Sequence, residues 1–440
     1  MRRVLMLTLL LASGRETAAQ YGFVSGMLRN RFEVQYGYRV PPDTNSVPQV
    51  LMQQRTRLNG GFVSDRWQAY VSLQDVRTWG DQVLQSQKAT FGLHEGWVQF
   101  NIKKNFMIKS GRQELLYDNN RLIGHTDWNM QARTFDALKL RWNPAPTWTV
   151  DLVGSYNQDR QRLFGNFYET ANPKTMDLLW VNRSYRDSLR NYSWSVLVLG
   201  DGWQTPDTTG VYMRWTPGTY LRYNQGKFTI VLEAYLQRGK TRAISQSGNL
   251  VKDSFEVVKA YMFSINPSFS MAKNLVFTAG IDWLSGSNAL DSTQRGITRM
   301  FNNQFGNNHP FYGKIDLFFN LPADTRNGGL IDAYAQLSHH YRGWNIMLAY
   351  HYFSLNGIVE DAEFRGQPLD KPLGSEVDLW VTKNITPEIN LNSGFCVYFP
   401  TRSMEFVKSS QFSQLGGPTV TAFYYYLMLT VQPTFFTSKK

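Results

Sequence analysis

The sequence predicts an all-β fold: a single transmembrane antiparallel β-barrel of about 18 strands with long extracellular loops. Three observations predict it. The first is composition: aromatics make up 15% of the 440 residues, with 13 Trp, 23 Tyr and 28 Phe, while charged residues make up only 18%. Soluble proteins average about 25% charged. A mean hydropathy of -0.38 is nonetheless too polar for a bundle of membrane helices. The second is a period-two alternation of apolar and polar residues, repeated along the chain and broken by turn residues. The third is that no run of 18 or more apolar residues follows residue 20, so any membrane crossing must be made by strands.

Residues 1–19 have the shape of a secretory signal peptide. Arg2 and Arg3 form a basic start, Val4 to Ala12 a short apolar stretch, and Thr17-Ala18-Ala19 a small-residue cleavage site. Their removal takes away three Arg and one Glu, so a formal charge of +12 becomes +10 over residues 20–440, the expected barrel. Along that barrel, LRNRFEVQYGYR puts Leu28, Asn30, Phe32 and Val34 on one face and Arg29, Arg31, Glu33 and Gln35 on the other. FTIVLEAYLQ, GLIDAYAQLSH and EINLNSGFCVYF alternate in the same way. A β-sandwich would also alternate, but with a Leu, Ile and Val core. Here apolar faces often end in Trp, as at Trp142, Trp148, Trp215 and Trp283, which suits interfacial girdles. Counting segments gives about 19 strands, and the even-number rule for single-chain barrels settles on 18. The doubtful segments are 176–183 and 192–200. Long loops are expected at 157–207, 239–253, 286–310 and 356–373. TAFYYYLMLTVQPTFF (421–436) reads as the strand that closes on the first.

Charge on a lipid-facing position costs about 2–4 kcal/mol for Lys or Arg at the midplane, so the charged member of each alternation must point inward. That assigns Arg29, Arg31, Arg55, Arg57, Lys139, Arg141, Arg214, Arg222 and Lys314 to the lumen. The acids Glu33, Glu95, Asp151, Glu233, Asp282, Asp316, Asp332, Glu376 and Asp378 join them. Cross-strand ion pairs that stiffen the wall are one reading. A water-filled conduit with a net basic field is the other, and the Arg pairs 29/31, 55/57 and 139/141 favour it. Guanidinium holds carboxylates bidentately, so such a lumen suits a carboxylate-bearing passenger. Tyr212, Tyr235, Tyr334 and Trp380 could stack on sugar rings or simply fill space. Nucleic acid is a poor partner for bases that alternate along strands.

The segment GRQELLYDNNRLIGHTDWNMQARTFDALKLRW (111–142) concentrates charge beside aromatics. Its elements Gly111-Arg112-Gln113, Tyr117, Arg121, Gly124, Asp127-Trp128, Arg133 and Phe135-Asp136 resemble the signature of the alginate export family of outer-membrane barrels. The resemblance implies an 18-stranded barrel in the bacterial outer membrane, with an Arg-rich lumen passing an acidic polysaccharide. It places Arg112, Arg121 and Arg133 on or near the inner wall, with Asp127 and Asp136 pairing with such bases and narrowing the passage. It also implies periplasmic export machinery as a partner, beside the lipid bilayer and an anionic saccharide or other small anionic solute. As an active site the segment lacks a nucleophile or base held by a third group; His125 is its only group titrating near neutrality. No catalytic residue, cofactor or metal is expected: His339 and His340 face opposite sides of a strand, and Cys396, the sole cysteine, reads as a small wall side chain. The alternatives are a general diffusion porin, a surface or adhesin barrel with a plugged pore, and an enzyme on a barrel scaffold.

Overall fold

The computed structural model describes residues 20–85, 90–168, 172–205, 210–244, 250–408 and 420–438; the signal-like residues 1–19 lie outside them. The strands are β1 (Tyr21–Tyr36), β2 (Gln49–Val63), β3 (Trp67–Thr78), β4 (Gly92–Lys103), β5 (Phe106–Gln113), β6 (Phe135–Trp142), β7 (Trp148–Tyr156), β8 (Thr175–Arg186), β9 (Arg190–Gln204) and β10 (Val211–Gln225). They continue as β11 (Phe228–Ile244), β12 (Leu250–Ala272), β13 (Leu275–Leu284), β14 (Ile297–Thr298), β15 (Leu330–Tyr341), β16 (Trp344–Ser354), β17 (Pro372–Asn384), β18 (Ile389–Pro400), β19 (Ala422–Val431) and β20 (Thr434–Thr437). One short helix, α1 (Arg402–Lys408), precedes β19.

Eighteen of these strands form one closed antiparallel barrel. Each pairs with the next in sequence, β13 passes directly to β15, and β19 pairs with both β18 and β1. The two left over are β14, a two-residue stretch beside Val257 and Val258 of β12, and β20, which continues β19 along β1 beyond a break at Gln432 and Pro433. The doubtful segments 176–183 and 192–200 are both wall strands, β8 and β9, joined by a tight turn. The expected loop 157–207 is therefore two connections with a hairpin between them. Strands β11 and β12 likewise run into the expected loop 239–253, of which 245–249 lies outside the described residues.

Connections differ by end. At one end they are short: 64–66, 104–105, 143–147, 187–189, 226–227, 273–274, 342–343 and 385–388. At the other most are longer, and the longest runs from 285 to 329. The outer wall is apolar, with Leu348, Leu337, Leu138, Leu152, Leu427 and Leu429 exposed. Aromatic girdles bound it. Trp67, Trp142, Phe228 and Trp344 lie near the short turns, and Trp215, Trp283, Tyr352 and Phe399 near the long loops. Along β16, Trp344 to Tyr352 spans roughly 26 Å, about 20 Å along the barrel axis at the usual strand tilt. An apolar belt of that height between aromatic rims is what a bilayer requires.

The interior holds a second layer. Two connections, 114–134 and 285–329, fold inside rather than extending outward. Leu115, Leu122, Ile123, Phe301, Ile315, Leu317 and Phe318 are buried there against inward wall residues such as Tyr424, Tyr426 and Phe353. Just before the first segment begins, Gly111 of β5 lies close against the backbone of β4. Its φ is 123°, and a Cβ there would lie 2.3 Å from the Gly96 carbonyl oxygen, so only glycine fits. Asp118, Asn120, Thr126 and Ala132 also take positive φ. Such backbone persists in non-glycine residues only where surrounding contacts over-determine it.

Candidate functional site: the lumen and its inward-folded segments

Wall arginines hold the first segment in place. Arg29 on β1 and Arg55 on β2 are direct cross-strand neighbours, an arrangement that repels unless an anion lies between them. Asp127 supplies it: its carboxylate meets Arg29 at 2.8 Å and Arg55 at 2.5 Å. Burial would raise the Asp127 pKa, but the two guanidiniums outweigh it and hold it down at about 2. Arg55 also donates to the carbonyls of Asp127, Asn129 and Met130. Arg31 donates to the Trp128 carbonyl at 2.7 Å and lies over its indole at 4.3 Å, while its Nε faces Glu33 at 3.2 Å. Arg57 bonds Gln74 at 2.7 Å and reaches Glu114 at 4.0 Å. Glu95 accepts the Glu114 amide at 3.0 Å and the Trp97 indole at 3.2 Å.

The same segment crosses to the far wall through Arg121. Its guanidinium meets Glu233 of β11 at 3.1 Å and Asp282 of β13 at 2.8 Å, and it bonds the Tyr312 hydroxyl of the second segment at 3.0 Å. Arg121 is 1% exposed. Burial disfavours the cation, yet Asp282 and Glu233 outweigh it and raise its pKa above the ordinary arginine value. Asp282 is itself directly opposite Asp332 on β15, so the two walls present acids that need inward cations. Lys139 and Arg141 on β6 share Asp151 of β7, at 2.8 and 2.7 Å, and the Tyr117 hydroxyl donates to the same carboxylate. Arg214 and Asp201 form a cross-strand pair, at 3.0 and 2.8 Å, that also takes Gln304 of the second segment at 2.5 Å.

Several expected placements change. Arg112 and Asp136 pair at 3.1 Å, but they share the outward face with Leu138 and Trp142 and are 41% and 63% exposed, so they line no lumen. The alternation is unbroken there: Gln113 and Ala137 take the inward positions, and the charged pair falls on the outward face at the strand ends. Lys314 and Asp316 lie on the second inward segment, not the wall. Tyr235 and Trp380 are committed to packing: Tyr235 bonds Glu233 at 3.3 Å, and Trp380 meets Trp128, His309 and Tyr426. Arg222 is exposed on the inner face near the short turns, in register with Ser193. Sequence reading missed His309, which stacks on Trp128 at 3.8 Å and bonds Asp316 at 2.8 Å.

Arg133 differs from the rest. It donates to the carbonyls of Phe305, Gly306 and Gly124, and no salt bridge to it is present among the described residues. Burial alone lowers its pKa, to about 10. It lines a cavity of about 400 Å³ at the long-loop end with Arg214, Trp203, Asn302, Asn308 and Asn320. At the short-turn end a cavity of about 1010 Å³ is lined by Arg66, Lys103, Lys104 and Arg141, among others. The segment bridged by Arg121 lies inside the barrel that joins these ends.

A family model described as alginate export matches residues 23–400. No curated protein matches the chain. Solved structures match at low identity. The outer membrane protein OpdK from Pseudomonas aeruginosa is 9% identical with a TM-score of 0.57, covering 95% of this chain and 99% of its own. OccAB4 from Acinetobacter baumannii is 9% identical with a TM-score of 0.58, covering 96% and 100%. OpdK solved with vanillate is 10% identical with a TM-score of 0.55, covering 94% and 99%.

Proposed function

The chain belongs to the alginate export family of outer-membrane β-barrels, and from that premise we propose that it is a selective channel for acidic saccharides or other small carboxylate-bearing solutes. The protein resides in the bacterial outer membrane and is read as a transport protein rather than an enzyme. The observation that carries the passenger class is Arg133. Most inward cations already hold a carboxylate of this chain, whereas Arg133 holds only backbone carbonyls. Arg133 keeps its charge beside a polar cavity without a paired acid. Around it, Asn302, Asn308 and Asn320 offer hydrogen bonds for sugar hydroxyls, and Trp203 offers a face for a ring. The basic cavity at the other mouth fits the same passenger. Vanillate, with which OpdK was solved, is also a carboxylate. A wide general porin is disfavoured by the two segments inside the barrel. A periplasmic delivery apparatus belongs to this reading through the family alone.

A barrel that is closed at rest is a second reading, favoured by the buried Arg121 contacts to Glu233 and Asp282. Single-channel recording across a planar bilayer separates the two. Selective passage predicts anion-selective current blocked by oligouronates and not by neutral oligosaccharides of matched length. Replacement by Arg133→Gln removes charge-assisted bonds worth about 1.5–3 kcal/mol, so block should weaken on the order of 10- to 100-fold. Cation-selective current, or block unaffected by the substitution, overturns the proposal. Silence that lasts until the Arg121 contacts are broken supports the closed barrel.

A further inference from the structure

Strands β16, β17 and β18 assemble a group of donors that the passage does not use. Glu376 and Asp378 are two apart on β17 and share its inner face. Cys396 of β18 lies directly opposite Asp378, and His351 of β16 directly opposite Glu376. Glu376, Asp378 and Cys396 are 0% exposed, and His351 is 8% exposed. One donor atom from each of Glu376, Asp378 and Cys396 lies within 4.8 Å of the other two. Glu376 Oε1 accepts the backbone amides of Lys314 and Ile315, at 2.5 and 2.9 Å. As ionised carboxylates, its Oε2 and both oxygens of Asp378 find no donor among the described residues, and they lie within hydrogen-bond reach of each other and of the Cys396 thiol. Three orphaned carboxylate oxygens in a dry wall call for a positive occupant.

The imidazole is prepared for the same occupant. His351 Nδ1 lies 2.9 and 3.0 Å from the two oxygens of Asp332, so the neutral imidazole carries its proton on Nδ1 and presents Nε2 toward Asp378. That nitrogen is 3.8 Å from Asp378 Oδ2. Two ligands of one tetrahedral ion bound at about 2.0–2.1 Å sit roughly 3.4 Å apart, but Nε2 approaches Asp378 alone and lies outside the 4.8 Å cluster of Glu376, Asp378 and Cys396, so it reaches an ion there only by turning toward it. A carboxylate on the far nitrogen of a histidine is the usual support of a metal-bound imidazole.

We propose that Glu376, Asp378 and Cys396 form a buried site for a divalent metal ion of the zinc class, with His351 at its edge beside Asp378. A thiolate beside two carboxylates favours a borderline-soft ion over calcium or magnesium. Three anionic ligands exceed the charge of a dication by one. Lys314, whose ammonium acts electrostatically on Asp378 and Glu376 from above Trp380, supplies the balance. Because Glu376 also holds the backbone at Lys314 and Ile315, the ion would pin the second inward segment to the wall. The competing occupant is a proton shared between the two carboxyls, with the thiol protonated.

The test is metal analysis of the full mature chain, refolded with zinc or cobalt(II) and washed with a weak chelator. The expected result is about one equivalent per chain. The cobalt derivative should show thiolate-to-metal charge-transfer absorption in the near ultraviolet. In Cys396→Ser that band disappears, and in Asp378→Asn metal content falls at least about tenfold. Metal content no higher than in Asp378→Asn, or a cobalt derivative without the thiolate band, overturns the proposal in favour of the shared proton. The cobalt spectrum of the unaltered protein decides on its own if either variant fails to fold.

Discussion

Removing the Arg121 guanidinium leaves Glu233 and Asp282 buried without their cation. We expect Arg121→Ala to cost about 3–5 kcal/mol in urea unfolding from lipid vesicles, with a smaller loss when Asp282→Asn is added. His309 sets a pH dependence. Burial, opposed by Asp316, lowers its pKa from 6.5 to about 4. The unfolded chain therefore takes up this proton first. The contribution is complete above pH 6.5, is lost as pH falls toward about 4, and is at most about 3 kcal/mol. Urea midpoints across that range should slope for the unaltered chain and flatten for His309→Gln. Alternation alone placed Arg29, Arg31, Arg55, Lys139, Arg141, Glu233 and Asp282 inside, because a strand has only two faces. It could not show that Asp127 and Arg121 are their partners, since both lie on non-strand segments. Nor could it flag a donor set split between β17 and β18, where no short motif joins Asp378 to Cys396.

The segment 114–134 behaves as a strap fastened at both ends of its span. Asp127 ties it to β1 and β2, and Arg121 ties it to β11 and β13. Asp127→Asn leaves Arg29 and Arg55 opposed and should free the near end. Larger or more frequent open-channel steps are expected in planar bilayers. Unchanged conductance would mean that the strap does not control the passage. The strands themselves were legible in the sequence, because alternation, girdle aromatics and turn residues agree. The inward course of 114–134 and 285–329 was not. An apolar residue such as Leu115 or Phe318 reads the same whether it faces lipid or the interior of a filled barrel. FYGKIDLFF (311–319) even mimics a strand by its alternation, which is why Lys314 and Asp316 were expected on the wall.

The whole molecule is organised by the bilayer as solvent. Leu348 is 49% exposed, midway between Trp344 and Tyr352 on β16, so Leu348→Arg should lower stability by about 2–4 kcal/mol in vesicles. With long loops outside and short turns in the periplasm, Leu163→Cys should react with an impermeant maleimide on intact cells. Lys227→Cys, in a short turn, should not. Cys396 is buried and gives no background. The seam between β1 and β19 carries a further consequence. It joins residues about 400 positions apart, with Arg29 opposite Thr430. Until the last strand has crossed the periplasm, the first offers an unpaired backbone edge to any neighbour. No order of synthesis shortens that wait, and contacts so distant in sequence form slowly. A nascent barrel missing its final strand is therefore an aggregation hazard before it is a defective pore.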